Sequence, residues 1–194
     1  MWIDLTWSLN ENLPSWPGVN KIQIKQECNS NKITTSDIFL HLHYGTHIDA
    51  PLHCIPQGRT VNTNINSLCG KVQIIEAPDI ITPEIVQNIN SKIVFFKTMQ
   101  NKPKNFNPDY SFITPQAAKK LVQEGIKIVG TDCWSVEKFD DTDFNTHKIL
   151  LSNDVIIIEF IKLYQTSPGT YETMIIPLPI QAEASPARVL IKSL

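Results

Sequence analysis

Several features are scarce in this 194-residue chain, and each scarcity removes a class of protein. Its four cysteines, Cys28, Cys54, Cys69 and Cys133, are widely spaced with no C-x-x-C pair. That spacing argues against a zinc ribbon and against the dense disulfide framework of a small secreted domain, so free thiols are expected. Neither sign of charge dominates: 17 Lys and Arg against 19 Asp and Glu leave a formal net charge of -2. With the basic residues scattered, there is no footprint for nucleic acid or an anionic membrane. No run approaches the roughly 18 consecutive apolar residues of a membrane span. The opening MWIDLTWSLN lacks the basic and apolar regions of a secretory signal. A cytoplasmic protein with small-molecule partners is therefore expected. Repeats and linkers are missing too, which suits one domain over residues 1–194, long enough to bury about 70% of its unfolded surface.

What is present changes character along the chain. Residues 2–9, 21–27 and 32–43 read as strands, the first two separated by the turn-rich NENLPSWPG. After a Gly- and Asn-rich loop come a strand at 71–77, a short helix from Thr82 or Pro83 and a strand at 92–98. TPQAAKKLVQEG then has a Thr cap, Pro at the first helical position and a closing Gly125, and it leads into a strand at 127–132. A helix at 144–152, a buried strand at 155–160 and strands within 171–176 and 187–193 complete the order. N-terminal strands followed by βα units predict one α/β domain with a mixed sheet.

The densest chemistry lies in HYGTHIDAPLH, where His43, His47, Asp49 and His53 sit at even spacing. An extended backbone sends residues of equal parity to one face, and Gly45 and Pro51 oppose a helix, so the pattern predicts a strand running into a loop with four polar groups converging. Imidazoles with a carboxylate form a mixed N/O set suited to zinc, manganese or iron. The alternative is a set of histidines hydrogen-bonded in a wet crevice. His41 shares the parity and is either a group orienting the cluster or a plain strand residue. Cys54 adjoins His53, but its parity points it away. Farther on, Glu159 ends an apolar strand, where a buried carboxylate needs a partner, and His147 lies on the helix before it. Spacing alone does not join these two to the cluster.

The string H-x-G-T-H-x-D-x-P-x-H resembles the signature of the cyclase-like metal-dependent hydrolases, which include bacterial kynurenine formamidases. DLTWSLNENLPSWPG, GTDCWSV, HKILLSNDVIIIE and GTYETMIIPLPIQAEASPARVLI are similar to that family's other segments, extending the resemblance over nearly the whole chain. The resemblance implies a swivelling β/β/α fold and a homodimer. It also implies two divalent metal ions, zinc with manganese as the alternative, held by His43, His47, Asp49, His147 and Glu159, with the carboxylates bridging. His53 is implied as the proton carrier and Trp16 as a substrate contact; a core-packing role for Trp16 is the alternative. Where formamidases commonly carry Glu-Asn-Leu this chain has Glu159-Phe160-Ile161, and where they carry a smaller aliphatic or polar pair it has Cys133-Trp134. These departures are expected on or behind the pocket wall, where they bear on the substrate.

Two cations sharing a water would bring its pKa from about 15.7 to near 7, supplying hydroxide at neutral pH. The expected activity is hydrolysis of an amide-like C–N bond, N-formylkynurenine to kynurenine and formate. A cyclic amide, as for isatin hydrolases, or another small amide or lactone is the first alternative. A non-catalytic metal- or ligand-binding protein is the second, and a polyketide-type cyclase the last.

Overall fold

Period-two patterning sorts the central strands between two apolar layers. The structure, a computed structural model, describes residues 1–61, 65–77 and 79–194. Its strands are β1 (Ile3–Asp4), β2 (Gln23–Cys28), β3 (Thr34–Phe39), β4 (His47–Asp49), β5 (Cys69–Glu76), β6 (Ile93–Lys97), β7 (Ile128–Thr131), β8 (Ile156–Glu159), β9 (Gly169–Pro177) and β10 (Ala184–Ser193). Among the described residues, two α-helices, α1 (Pro115–Gln123) and α2 (Asn145–Ser152), complete the regular elements, with 3₁₀ turns at Pro51–His53 and Ile65–Leu68. Eight strands form one sheet in the order β1-β10-β4-β8-β7-β6-β5-β9. Because β9 also pairs with β10, its ladder returns on itself. The neighbours from β5 to β8 run parallel and the remaining pairs antiparallel, so the expected mixed α/β sheet is present.

On β6, Ile93 and Phe95 join a cluster drawn from β4 through β10 inside this ring, whereas Val94 and Phe96 face the helices. Ile158 and Ile157 divide in the same way on β8. α1 starts where Thr114 accepts the Ala117 N–H at 3.2 Å and ends before Gly125 at φ +71°, burying Ala117, Ala118 and Leu121 against the helix-side layer. The capping signals in the sequence are the ones used.

Three expectations need correcting. The N-terminal strands add little to the main sheet: β1 pairs with β10 over only two residues, and β2 and β3 form a separate two-stranded ribbon exposed along its length. The strand expected to reach His43 ends at Phe39, because the chain then turns through 42–46. No helix forms after Pro83 either. The segment winds in turns, with Ile85 N–H to Thr82 O and Gln87 N–H to Glu84 O, and Asn88 at φ +61° stops continuation. Part of the expected Asn-rich loop, residues 62–64, lies outside the described residues. Among those described, no helix is long and apolar enough to cross a membrane.

Candidate metal centre and active site

Strand register brings the first three groups together. β4 and β8 are antiparallel neighbours with His47 opposite Glu159. His47 and Asp49 share the face opposite Ile48, and Glu159 has the parity of Ile157, which faces the helices. All three therefore lie on the helix side of the sheet, where α2 delivers His147. His47 Nε2 is 3.4 Å from both Asp49 Oδ1 and Glu159 Oε2; His147 Nε2 is 3.3 Å from Glu159 Oε1 and 3.9 Å from Asp49 Oδ2. Each carboxylate thus turns one oxygen to each histidine, an arrangement able to bridge two positive centres.

His43 and His53 arrive differently from the expected strand face, since β4 spans only His47–Asp49. Gly45, at φ +79°, turns the chain between His43 and His47; a Cβ there would come within 2.5 Å of Leu9 Cδ2. Pro51 opens the 3₁₀ turn that carries His53. His43 Nδ1 reaches 3.1 Å from Asp49 Oδ1, and its ring centroid lies 4.8 Å from that of His47 and 4.4 Å from that of His53. The His53 ring is 5.6 Å from His147.

Two contacts aim the buried imidazoles. His47 Nδ1 lies 2.9 Å from Gly45 O and His147 Nδ1 lies 3.0 Å from Glu137 Oε2. An N–H donated from Nδ1 leaves the Nε2 lone pair directed at the carboxylates. Glu137 does more: its carboxylate also accepts the backbone N–H groups of Thr146 and His147, closing the start of α2. Glu159 Oε1 accepts from Val136 N–H at 2.7 Å and from the Ser135 hydroxyl at 3.1 Å.

The residues fit a cation. Asp49 is fully buried, yet among the described residues no donor meets hydrogen-bond geometry with either of its oxygens, and His47 Nε2 is also unpartnered there. A buried carboxylate left so would cost several kcal/mol without compensating positive charge. Burial pushes the His47 and His147 pKa values down, but Asp49 and Glu159, with Glu137 beside His147, overcome it and raise them to about 9 and about 10. Ligand atoms of His47, Asp49 and Glu159 lie within 4.8 Å of one another, as do those of His43, Asp49 and His53, so Asp49 belongs to both groups. His53 therefore stands within ligand reach as well as beside the cavity. Burial, with His43 and His147 nearby, lowers its pKa.

His43, His47, His53, His147 and Glu159 line a cavity of about 230 Å³ that Trp16, Trp134 and His41 also line, with Asp49 set behind them. Trp16 packs against Phe106 and Phe139 at centroid distances of 5.4 and 5.2 Å, so it is both a packing residue and a wall of the cavity. Trp134 stacks on Phe160 at 5.4 Å, with Cys133 buried. His41 accepts the His43 N–H through Nδ1. Cys54 instead packs against the helix-side core, where burial first and then Asp49 push its thiol up to about 11. Two contributors were not singled out in the sequence. Glu137 lies ten residues before His147, outside any capping pattern, and Glu183 Oε1 lies 3.6 Å from His43 Nε2. Neither carries a local signal.

A family model described as "Putative cyclase" matches residues 3–138. The chain belongs to this family. The match covers the histidine cluster and Glu137 of this cyclase-family chain but stops before His147 and Glu159. Full-length similarity extends to them: the chain is 30% identical to a kynurenine formamidase from Salinibacter ruber, with 98% of this chain and 96% of that protein covered. It is 30% identical to the solved structure of a predicted metal-dependent hydrolase from Bacillus stearothermophilus, with a TM-score of 0.87 over 98% of this chain and 97% of that one. An isatin hydrolase A from Labrenzia aggregata shares the fold at 21% identity, with a TM-score of 0.86 and coverage of 100% and 93%.

Proposed function

We propose that this chain, acting as one domain over residues 1–194, is a metal-dependent hydrolase cleaving the formyl C–N bond of an aryl formamide, N-formylkynurenine to kynurenine and formate. The carrying observation is the pair of buried carboxylates, Asp49 and Glu159, each turned toward both His47 and His147, with Glu159 and the two histidines lining an aromatic-walled cavity. The names of relatives similar over their full length support the same chemistry. His43, His47 and Asp49 would hold one divalent cation and Asp49, His147 and Glu159 a second, zinc with manganese as the alternative. Such ions supply a water acidified toward neutral pH and a Lewis acid for the carbonyl oxygen.

The protein's own groups do the rest. Trp16 and Trp134 flank a planar ring and exclude water. His53, beside His43 and His147, takes the proton that the attacking water loses as its oxygen bonds to the formyl carbon. It returns that proton to the nitrogen as the C–N bond breaks, leaving the arylamine and formic acid, which ionises to formate. Such proton transfer contributes roughly 10²- to 10⁴-fold.

His53→Ala is expected to keep its metal and lose turnover by about that factor; N-formylkynurenine hydrolysis at the wild-type rate would exclude this role. Asp49→Ala and Glu159→Ala are expected to lose metal, and full occupancy in either would count against the shared site. Isatin assayed beside N-formylkynurenine separates the cyclic-amide alternative. A homodimer is proposed as well, supported by Ile24, Ile38 and Phe39 standing exposed on the β2–β3 ribbon. Sedimentation equilibrium checks it.

A further inference from the structure

Of the charged side chains lining the cavity, Glu159 and Glu137 are engaged with the histidines, while Lys138 and Asp141 have no part in the centre. These two sit on one tight turn, closed by the Asp141 N–H donating to Lys138 O at 3.2 Å. Asp141 Oδ1 accepts the Asp143 N–H at 2.8 Å, which orients the carboxylate and leaves its other oxygen available. Lys138 forms no ion pair among the described residues, with Asp141 or with any other acid. The turn thus presents an ammonium and a carboxylate three residues apart, beside a wall of Trp16, Trp134 and Phe144. A ligand complementary to all of these has a planar aryl group and, a short distance away, one anionic and one cationic group. An α-amino acid carries those two groups on a single carbon.

We propose that the 138–141 turn binds the zwitterionic α-amino-acid head of the substrate, Lys138 taking the carboxylate and Asp141 the ammonium. The site then selects aryl formamides with an amino-acid tail over plain aryl formamides. The inference rests on the aryl-formamidase reading of the centre and adds the part of the substrate that the metal chemistry does not choose. Lys138 is exposed and Asp141 half-buried, so solvent screens both contacts and each is expected to contribute about 2- to 5-fold in affinity.

The test pairs two formyl substrates, N-formylkynurenine and 2-formamidoacetophenone, which differ only in the amino-acid head. It uses the metal-loaded wild type, Lys138→Met and Asp141→Asn. Asn retains the oxygen that accepts the Asp143 N–H, and Met retains the length of the lysine stem. The ratio of kcat/KM for the two substrates is expected to fall about 2- to 5-fold in each variant, through KM rather than kcat. Calorimetric binding of L-kynurenine and its decarboxylated amine, kynurenamine, assigns the charges. Lys138→Met is expected to weaken L-kynurenine alone, and Asp141→Asn to weaken both. Wild-type ratios in both variants, or equal loss of both substrates, would overturn head recognition. If wild type hydrolysed neither formyl compound, the formamidase reading would fall, while the binding measurements would still decide the role of the turn.

Discussion

Glu137 shows how one side chain can serve the fold and the centre together. It accepts two backbone N–H groups at the start of α2 and the Nδ1–H of His147, so the helix and the imidazole are set by the same carboxylate. Glu137→Gln keeps an oxygen for the helix but removes the charge that makes His147 a stronger donor. Metal affinity, measured by competition with a chelator, is expected to drop 10- to 100-fold by the usual size of such effects; wild-type affinity would show the charge to be irrelevant. Asp132 makes a second residue-scale prediction. Burial raises its carboxyl pKa from 3.8 to about 6, against hydrogen bonds from the Thr98 N–H and hydroxyl and the Met99 N–H. A raised carboxyl favours the fold while both states are protonated, and the benefit is lost as pH rises through the folded pKa. Asp132→Asn removes this contribution. The stability of wild type relative to the variant is therefore expected to fall by on the order of 2–3 kcal/mol between pH 4 and 6.5, read from urea unfolding. A flat difference would mean that Asp132 ionises normally.

At the scale of elements, the histidine cluster belongs to three of them: a turn for His43, a three-residue strand for His47 and Asp49, and a 3₁₀ turn for His53. Parity in the sequence was a sound guide only for His47 and Asp49, because it assumes an extended chain that Gly45 and Pro51 interrupt. The same glycine makes the first junction vulnerable. Gly45→Ala would place a methyl against Leu9 and Leu13 and hold alanine at φ +79°. A loss of about 1–2 kcal/mol is expected in thermal unfolding of the metal-free protein, with weaker metal uptake as His43 moves relative to His47. Wild-type values for both would mean that the turn tolerates a side chain. α1 was legible almost to the residue, because Thr114, Pro115 and Gly125 are local signals. The segment after Pro83 was not, since a start signal says nothing about whether the turns that follow can propagate.

For the molecule as a whole, the centre joins β4, β8 and α2, which occupy distant parts of the chain, so its carboxylates strain the fold unless positive charge answers them. Bound metal is therefore expected to stabilise the whole chain. At a free zinc concentration of about 100 Kd the gain is near 2.7 kcal/mol, or roughly 5–10 °C in Tm. A chelator is expected to reverse that shift, and Asp49→Ala to show none. A Tm indifferent to zinc and chelator would argue against a centre coupled to the fold. The sequence by itself determined the polar residue types of the candidate centre, four of them in one motif, and the alternation that makes a mixed α/β sheet, because these depend on residue identity and short-range periodicity. Only the tertiary structure decided that His47 faces Glu159 across a strand pair, that Glu137 aims His147, and that β2 and β3 stand apart as a ribbon. Those facts depend on register and packing between segments that, at His47 and Glu159, lie more than a hundred residues apart, which no local pattern encodes.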